Sequence, residues 1–146
     1  MAEVSFYILP SESSQERYEF ACKLIEKAYR SGCFCYVLTD NPEQSQKIDD
    51  LLWTFRAGSF IPHQVYTGRL PDMEKVILIG SLNPPENWQK TLFNLSSHYP
   101  DVGPQTKRIL EILDNSETTL EAGRQRYRQY QQAGFATKKH DIGSKN

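Results

Sequence analysis

The chain has 146 residues, of which 38% are hydrophobic and 24% are charged, a composition typical of one soluble globular domain with its own core. Its formal net charge of −1 argues against a protein that coats nucleic acid, and no segment approaches the roughly 18 apolar residues of a membrane span. The three cysteines are an odd number for a chain of this length, which favours reduced thiols and a cytoplasmic protein.

Two apolar runs and one amphipathic segment alternate at the start of the chain. Residues 4–9 form an apolar run that ends at Pro10, which predicts a buried strand. Residues 13–16, with the sequence SSQE, match a capping box, and apolar residues then recur at helical spacing as far as Gly32. Residues 33–38 predict a second strand.

The middle of the chain predicts one helix and three further strands. Pro42 occupies the first position of a helix whose apolar stripe continues to Phe55. Residues 58–67 predict a loop followed by a weak strand, whereas the β-branched run at 76–79 is typical of a buried parallel strand. Residues 91–95 predict another strand.

The C-terminal third predicts a strand, a long helix and a tail. Residues 108–113 favour a strand over a helix, because the preceding segment 99–105 holds two prolines and a glycine. A long helix over 117–133 follows. We therefore expect a single domain over 1–136, with a three-layer α/β/α architecture and a central, mostly parallel sheet, followed by a mobile polar tail over 137–146.

This Rossmann-like arrangement is common among nucleotide-binding enzymes, but the strand-to-helix turns oppose that function. The turns at 10–14 and 39–42 contain no glycine, and a phosphate cradle needs glycine so that backbone N–H groups can approach the anion. Cys33 and Cys35 have no second Cys or His cluster to complete a zinc site, so we expect no metal and no cofactor. An enzyme with a degenerate nucleotide pocket is the alternative to a non-catalytic protein.

The last predicted helix carries a basic and aromatic face. Arg124, Tyr127, Arg128 and Gln131 share that face at 3.6 residues per turn, and forked guanidinium donors beside a ring suit carboxylates, phosphates or an acidic peptide. Residues 120–146 hold six basic and two acidic residues, a net charge of +4, which leaves −5 for the remainder. A local patch of this kind favours a small acidic partner over long duplex DNA. The alternative is a solvated helix face whose tyrosine packs inward.

A second unusual segment connects the end of the second helix to a glycine- and proline-containing loop. Its large apolar side chains are Trp53, Phe55, Phe60 and Ile61, which are too many for an ordinary surface loop. Either all four pack in the core, or some form an exposed apolar patch that marks a protein interface.

Together these segments resemble the chi subunit family of bacterial DNA polymerase III, which is part of the clamp-loader assembly. The matching segments, in the order of the family, are 6–9, 28–32, 52–55, 59–63 and 124–135, and they extend over about residues 4 to 135. The tryptophan-containing segment and the pattern RQRYRQYQQAGF are specific in combination.

The resemblance implies a non-enzymatic adaptor with two binding faces. In the family, one face binds the C-terminal tail of the single-stranded-DNA-binding protein, which is acidic and ends in a phenylalanine with a free carboxylate. The corresponding residues here are Leu113, Arg124, Tyr127, Arg128 and Gln131, with Leu113 as an apolar wall for the terminal ring. Arg128 replaces a lysine of the family form, which preserves the charge. Leu120 replaces a further basic residue, which predicts a weaker electrostatic attraction at the outer edge of the pocket.

The resemblance assigns the opposite face to a second protein. In the family this face binds the psi subunit, which links chi to the clamp loader, and in some members it engages a helicase instead. The corresponding residues are Trp53, Phe60, Ile61, Pro62 and His63. Neither nucleic acid nor a membrane is expected as a direct partner. Direct binding of nucleic acid through the arginines of the last helix and the lysines after it is the competing hypothesis.

Overall fold

Strands and helices alternate along most of the chain. The computed structural model describes residues 2–101 and 103–143. The strands of this part of the chain are β1 (Glu3–Ile8), β2 (Tyr36–Leu38), β3 (His63–Val65), β4 (Ile77–Gly80), β5 (Thr91–Asn94), β6 (Arg108–Leu113) and β7 (Ala136–Asp141). Its helices are α1 (Ser14–Arg30), α2 (Pro42–Thr54) and α3 (Glu117–Gln132), with a short 3-10 helix over Glu86–Trp88.

All strands of the described residues join one parallel sheet in the order β3-β4-β2-β5-β6-β1-β7. Apolar residues of α1 and α2, such as Ile25 and Leu52, pack in a core on one face of the sheet. Tyr130 of α3 packs in a second core on the other face. The predicted three-layer α/β/α architecture is therefore confirmed. Among the described residues, no helix is both long and apolar enough to cross a membrane.

Each of the three long helices in the described residues begins at a side chain that caps its first turn. Ser13 Oγ accepts a hydrogen bond from the backbone N–H of Glu16 at 3.2 Å, as the capping-box pattern predicts. Asn41 and Ser116 cap α2 and α3 in the same way. These local signals explain why the helix starts agree with the sequence pattern.

Strand β7 corrects the prediction of a polar tail that starts at residue 137. It pairs in parallel with β1, with Ala136 opposite Glu3 and Asp141 opposite Ile8. Most of its side chains are exposed because it is an edge strand. It therefore lacks the apolar alternation from which strands are predicted, and backbone pairing with β1 holds it in place. Residues 144–146 of the predicted tail lie outside the described residues.

Candidate protein-binding surfaces

A pocket of about 310 Å³ lies where α3 meets strands β1, β6 and β7. Its lining combines apolar side chains with three cations. The lining residues are Phe6, Ile8, Leu113, Leu120, Gly123, Arg124, Tyr127, Arg128 and Lys139. No acidic side chain is among the described residues of this lining. The pocket therefore offers an apolar contact and positive charge together, which suits a hydrophobic group that carries a carboxylate.

The pocket brings together most of the residues predicted on the basic face of the last helix. Leu113, Arg124, Tyr127 and Arg128 all line it, whereas Gln131 is exposed on α3 but does not contribute to the lining. The separation of Gln131 follows from its position one turn beyond the pocket along the helix.

The cations of the pocket differ in how they are held. Arg124 donates from Nη1 to Glu121 Oε1 at 3.2 Å in an exposed pair. Arg128 has no ion-pair partner among the described residues. The Nζ of Lys139 lies 5.8 Å from the centroid of the Tyr127 ring, within range of a cation–π contact. Arg128 and Lys139 are therefore the cations most free to meet an incoming anion.

Lys139 is a pocket residue that the sequence analysis missed. It lies on β7, directly opposite Phe6 of β1 in the parallel register. This residue falls in the predicted polar tail, so no local pattern indicated that it lies close to α3. Leu120, which replaces a basic residue of the family form, joins the apolar lining, and Lys139 supplies positive charge in the same pocket.

Gly123 sets how closely α3 approaches the sheet beside the pocket. A Cβ atom at this position would lie 2.6 Å from Leu113 Cδ1, well inside contact distance. The missing side chain thus makes room for Leu113 in the pocket lining. A glycine in the interior of a helix costs about 1 kcal/mol relative to alanine, and it is the signal that could have pointed to this close approach.

Arg126 has a different role from its neighbours on α3. Its side chain is 3% exposed, and it donates to Glu111 from Nε at 3.0 Å and from Nη2 at 2.9 Å. Tyr130 donates to the same carboxylate at 2.7 Å. Burial alone would lower the pKa of Arg126, but the Glu111 carboxylate raises that pKa above its ordinary value. Arg126 therefore fixes α3 to β6, and it is not available to nucleic acid as the competing hypothesis requires.

A second surface lies at the end of α2 and in the loop that leads to β3. Trp53 is 58% exposed and Phe60 is 80% exposed, while Pro62 is partly buried. Ile61 is 1% exposed and packs in the core, so its predicted place in an interface is wrong. The alternative in which some of these side chains form an exposed patch therefore holds for Trp53 and Phe60. Ile61 points inward because successive side chains of an extended stretch such as 59–61 point to opposite sides.

His63 also lies beneath this surface and not on it. Its Nδ1 is 2.7 Å from the carbonyl oxygen of Ile61, and its Nε2 is 3.0 Å from that of Asp49. Its ring lies 4.6 Å from the ring of Trp53. The buried imidazole thus supports Trp53 from below, which corrects the prediction that His63 contacts a partner directly.

The fold and these surfaces define a Rossmann-like α/β domain whose turns after β1 and β2 lack the glycine of a phosphate loop, and which exposes a basic pocket and an aromatic patch. The family model of the DNA polymerase III chi subunit, HolC, matches residues 1–138. This chain therefore belongs to the chi-subunit family of DNA polymerase III, which functions in DNA replication, and the resemblance found in the sequence is confirmed.

Individual relatives agree with the family match over nearly the full length. The DNA polymerase III subunit chi of Pseudomonas aeruginosa is 32% identical over 142 residues, which cover 97% of this chain and 98% of that protein. The subunit chi of Haemophilus influenzae is 26% identical over 140 residues, with coverage of 94% and 96%. That of Escherichia coli is 20% identical over 139 residues, with coverage of 92% and 95%.

Proposed function

We propose that this protein is a non-catalytic adaptor of the replisome that binds two other proteins at once. The pocket beside α3 takes the acidic C-terminal tail of the single-stranded-DNA-binding protein, and the surface around Trp53 and Phe60 takes the psi subunit. The protein thereby links protein-coated single strands to the clamp loader. The observation that carries this proposal is the pocket of about 310 Å³ in which apolar walls and three cations meet.

The pocket chemistry fits a chain that ends in phenylalanine. A terminal carboxylate that meets Arg128 or Arg124 forms charge-assisted hydrogen bonds worth roughly 1.5–3 kcal/mol each. The phenyl ring contributes about 2 kcal/mol when it is buried against Leu113 and its neighbours. Ordering a flexible tail offsets part of this gain, so the expected affinity is roughly micromolar and falls with salt.

The weakness of a single site suits a partner that carries several tails. Linked tails raise the effective concentration at each pocket, so that modest individual affinities combine into firm attachment. Tails that are held this way can still exchange one at a time.

The second surface has the features of a protein-binding hot spot. Trp53 and Phe60 are large, exposed aromatic side chains beside a buried support. Truncation of such an aromatic anchor costs roughly 2 kcal/mol or more in an interface. The psi subunit is the occupant we assign, and a helicase that uses the same surface is the alternative occupant.

Calorimetric titration of an acidic peptide ending in phenylalanine tests the proposed pocket. We expect Arg128→Ala to weaken binding about tenfold, because a charge-assisted hydrogen bond of at least 1.4 kcal/mol is lost. Lys107→Ala is the matched control, since Lys107 is an exposed cation that does not line the pocket. Equal affinity of the wild-type protein and the Arg128→Ala variant would contradict the assigned site.

A further inference from the structure

Phe60 projects from a loop whose neighbouring residues are both turned inward. Ser59 is 5% exposed and Ile61 is 1% exposed, whereas Phe60 between them is 80% exposed. The loop turns at Gly58, whose φ of +81° is a left-handed conformation that favours glycine. The outward position of Phe60 therefore depends on what holds the residues on each side of it.

Ser59 is bound by the carboxylate of Glu26, a residue of α1 that is distant in the sequence. Ser59 Oγ donates to Glu26 Oε2 at 2.9 Å. Arg56, which precedes the turn, donates from Nη2 to Glu26 Oε1. Arg30 donates to Glu26 Oε2 at 3.1 and 3.2 Å. One buried carboxylate thus binds both ends of the turn at residues 56–59.

The electrostatics of this cluster keep the carboxylate charged. Hydrogen bonds from Arg56 lower the pKa of Glu26 to about 2, and those from Ser59 and Arg30 act in the same direction. A charged carboxylate with two guanidinium partners accepts stronger hydrogen bonds than a neutral amide would. The loop is therefore attached to α1 by charge and not by apolar packing at Ser59.

We infer that Glu26 is a positioning residue of the second surface, which holds the 56–59 turn so that Phe60 stands ready to contact a partner protein. This inference rests on the proposed function of that surface. His63 completes the hold on the other side, because its Nδ1 lies 2.7 Å from the carbonyl oxygen of Ile61. A loop fixed in its bound conformation loses less freedom on binding, which increases affinity without any new contact.

The test compares four proteins and one control variant in two measurements, with a third as a check on folding. The proteins are the wild type, Glu26→Gln, Phe60→Ala and the double variant, with Glu19→Gln as a control on the surface of the same helix. The first measurement is hydrogen exchange of the amides of residues 56–61, which needs no partner. The second is the affinity for purified psi subunit, with the affinity for the acidic tail peptide as a check on the integrity of the fold.

We expect Glu26→Gln to raise exchange in residues 56–61 and to weaken psi binding about three- to tenfold, with tail binding unchanged. In the Phe60→Ala background, Glu26→Gln should have little further effect on psi binding, because its influence passes through Phe60. Glu19→Gln should change neither measurement.

Two failures are distinguishable. If Phe60→Ala leaves psi binding intact, the proposed role of the surface is wrong. If Phe60→Ala weakens psi binding but Glu26→Gln does not, or if exchange in residues 56–61 stays at the wild-type level, the positioning role is overturned while the surface assignment stands. Should Glu26→Gln unfold the protein, Ser59→Ala removes a single hydrogen bond of the cluster, and the same outcomes apply to it.

Discussion

Two arginines that lie two positions apart on α3 should respond differently to substitution by methionine, one through the stability of the fold and the other through binding of the acidic tail. Arg126 is buried and paired with Glu111, whereas Arg124 lies at the pocket and forms an exposed pair with Glu121. Arg126→Met should therefore destabilise the fold, and Arg124→Met should weaken tail binding with little change in stability.

The magnitudes follow from burial. The Glu111 carboxylate is fully buried, and truncation of Arg126 removes two of its hydrogen bonds and leaves a charge in the core. Breaking a buried pair in this way costs about 3–5 kcal/mol. Tyr130 and Asn94 still donate to that carboxylate, which favours the lower part of the range. An exposed pair such as Arg124–Glu121 contributes about 0.2–1 kcal/mol.

Urea unfolding measures the first effect, and titration of the acidic tail peptide measures the second. Arg126→Met should lower the free energy of unfolding by about 3 kcal/mol, which corresponds to a fall of roughly 10 °C in Tm for a domain of this size. Arg124→Met should lower the affinity for the acidic tail peptide several-fold. A cost of less than about 1 kcal/mol for Arg126→Met would contradict the structural role of the Arg126–Glu111 pair, and so would equal destabilisation by Arg124→Met and Arg126→Met.

Three further predictions concern the pocket and the α1 carboxylate. Gly123→Ala should weaken tail binding about tenfold, because the added Cβ would displace Leu113 in the pocket. The free energy of unfolding should change by less than about 1 kcal/mol, because alanine favours the helix. Unchanged affinity in the titration would argue against this pocket. Lys139→Ala should reduce the affinity for the tail and make that affinity less dependent on salt, as measured by titration at two ionic strengths. An unchanged salt dependence would show that Lys139 does not contact the tail. Because the folded pKa of Glu26 is depressed from 4.5 to about 2, its contribution to stability is complete above pH 4.5 and is lost as the pH falls toward 2. Glu26→Gln should therefore lose less stability than the wild type over that interval in acid unfolding, and parallel curves would contradict the assigned pairing.

Local signals in the sequence were enough to predict most helices and buried strands. The capping residues before α1 and the proline at the start of α2 determine where each helix begins through contacts within a few residues. These helix starts can therefore be predicted without tertiary information. The all-apolar run of β4 likewise shows that both faces of that strand are buried.

The features that the sequence did not reveal depend on contacts between distant residues. Strand β7 is polar and is held by pairing with β1, so Lys139 was not placed beside α3. Glu26 and Ser59 are 33 positions apart, and Glu111 and Arg126 are 15 apart. No periodicity links such pairs. Helical spacing places Arg126 away from the face of Arg124, but it does not show that Arg126 is buried and paired with Glu111. Burial is what separates these two arginines.

The side-chain directions in the loop before β3 also required tertiary information. Composition identified an excess of large apolar groups there, but it could not assign Ile61 to the core and Phe60 to the surface. The inward anchors at Ser59 and His63 decide this alternation, and both bind residues of other elements.

Titration of the acidic tail peptide with and without its terminal phenylalanine, at fixed salt, tests the central claim most directly. We expect micromolar binding of the full peptide and a loss of at least tenfold when the terminal phenylalanine is removed. The shortened peptide keeps a terminal carboxylate for Arg128 but loses the ring that the apolar lining buries. Equal affinity of the two peptides would show that charge alone attracts the tail, and the pocket assignment would then be wrong.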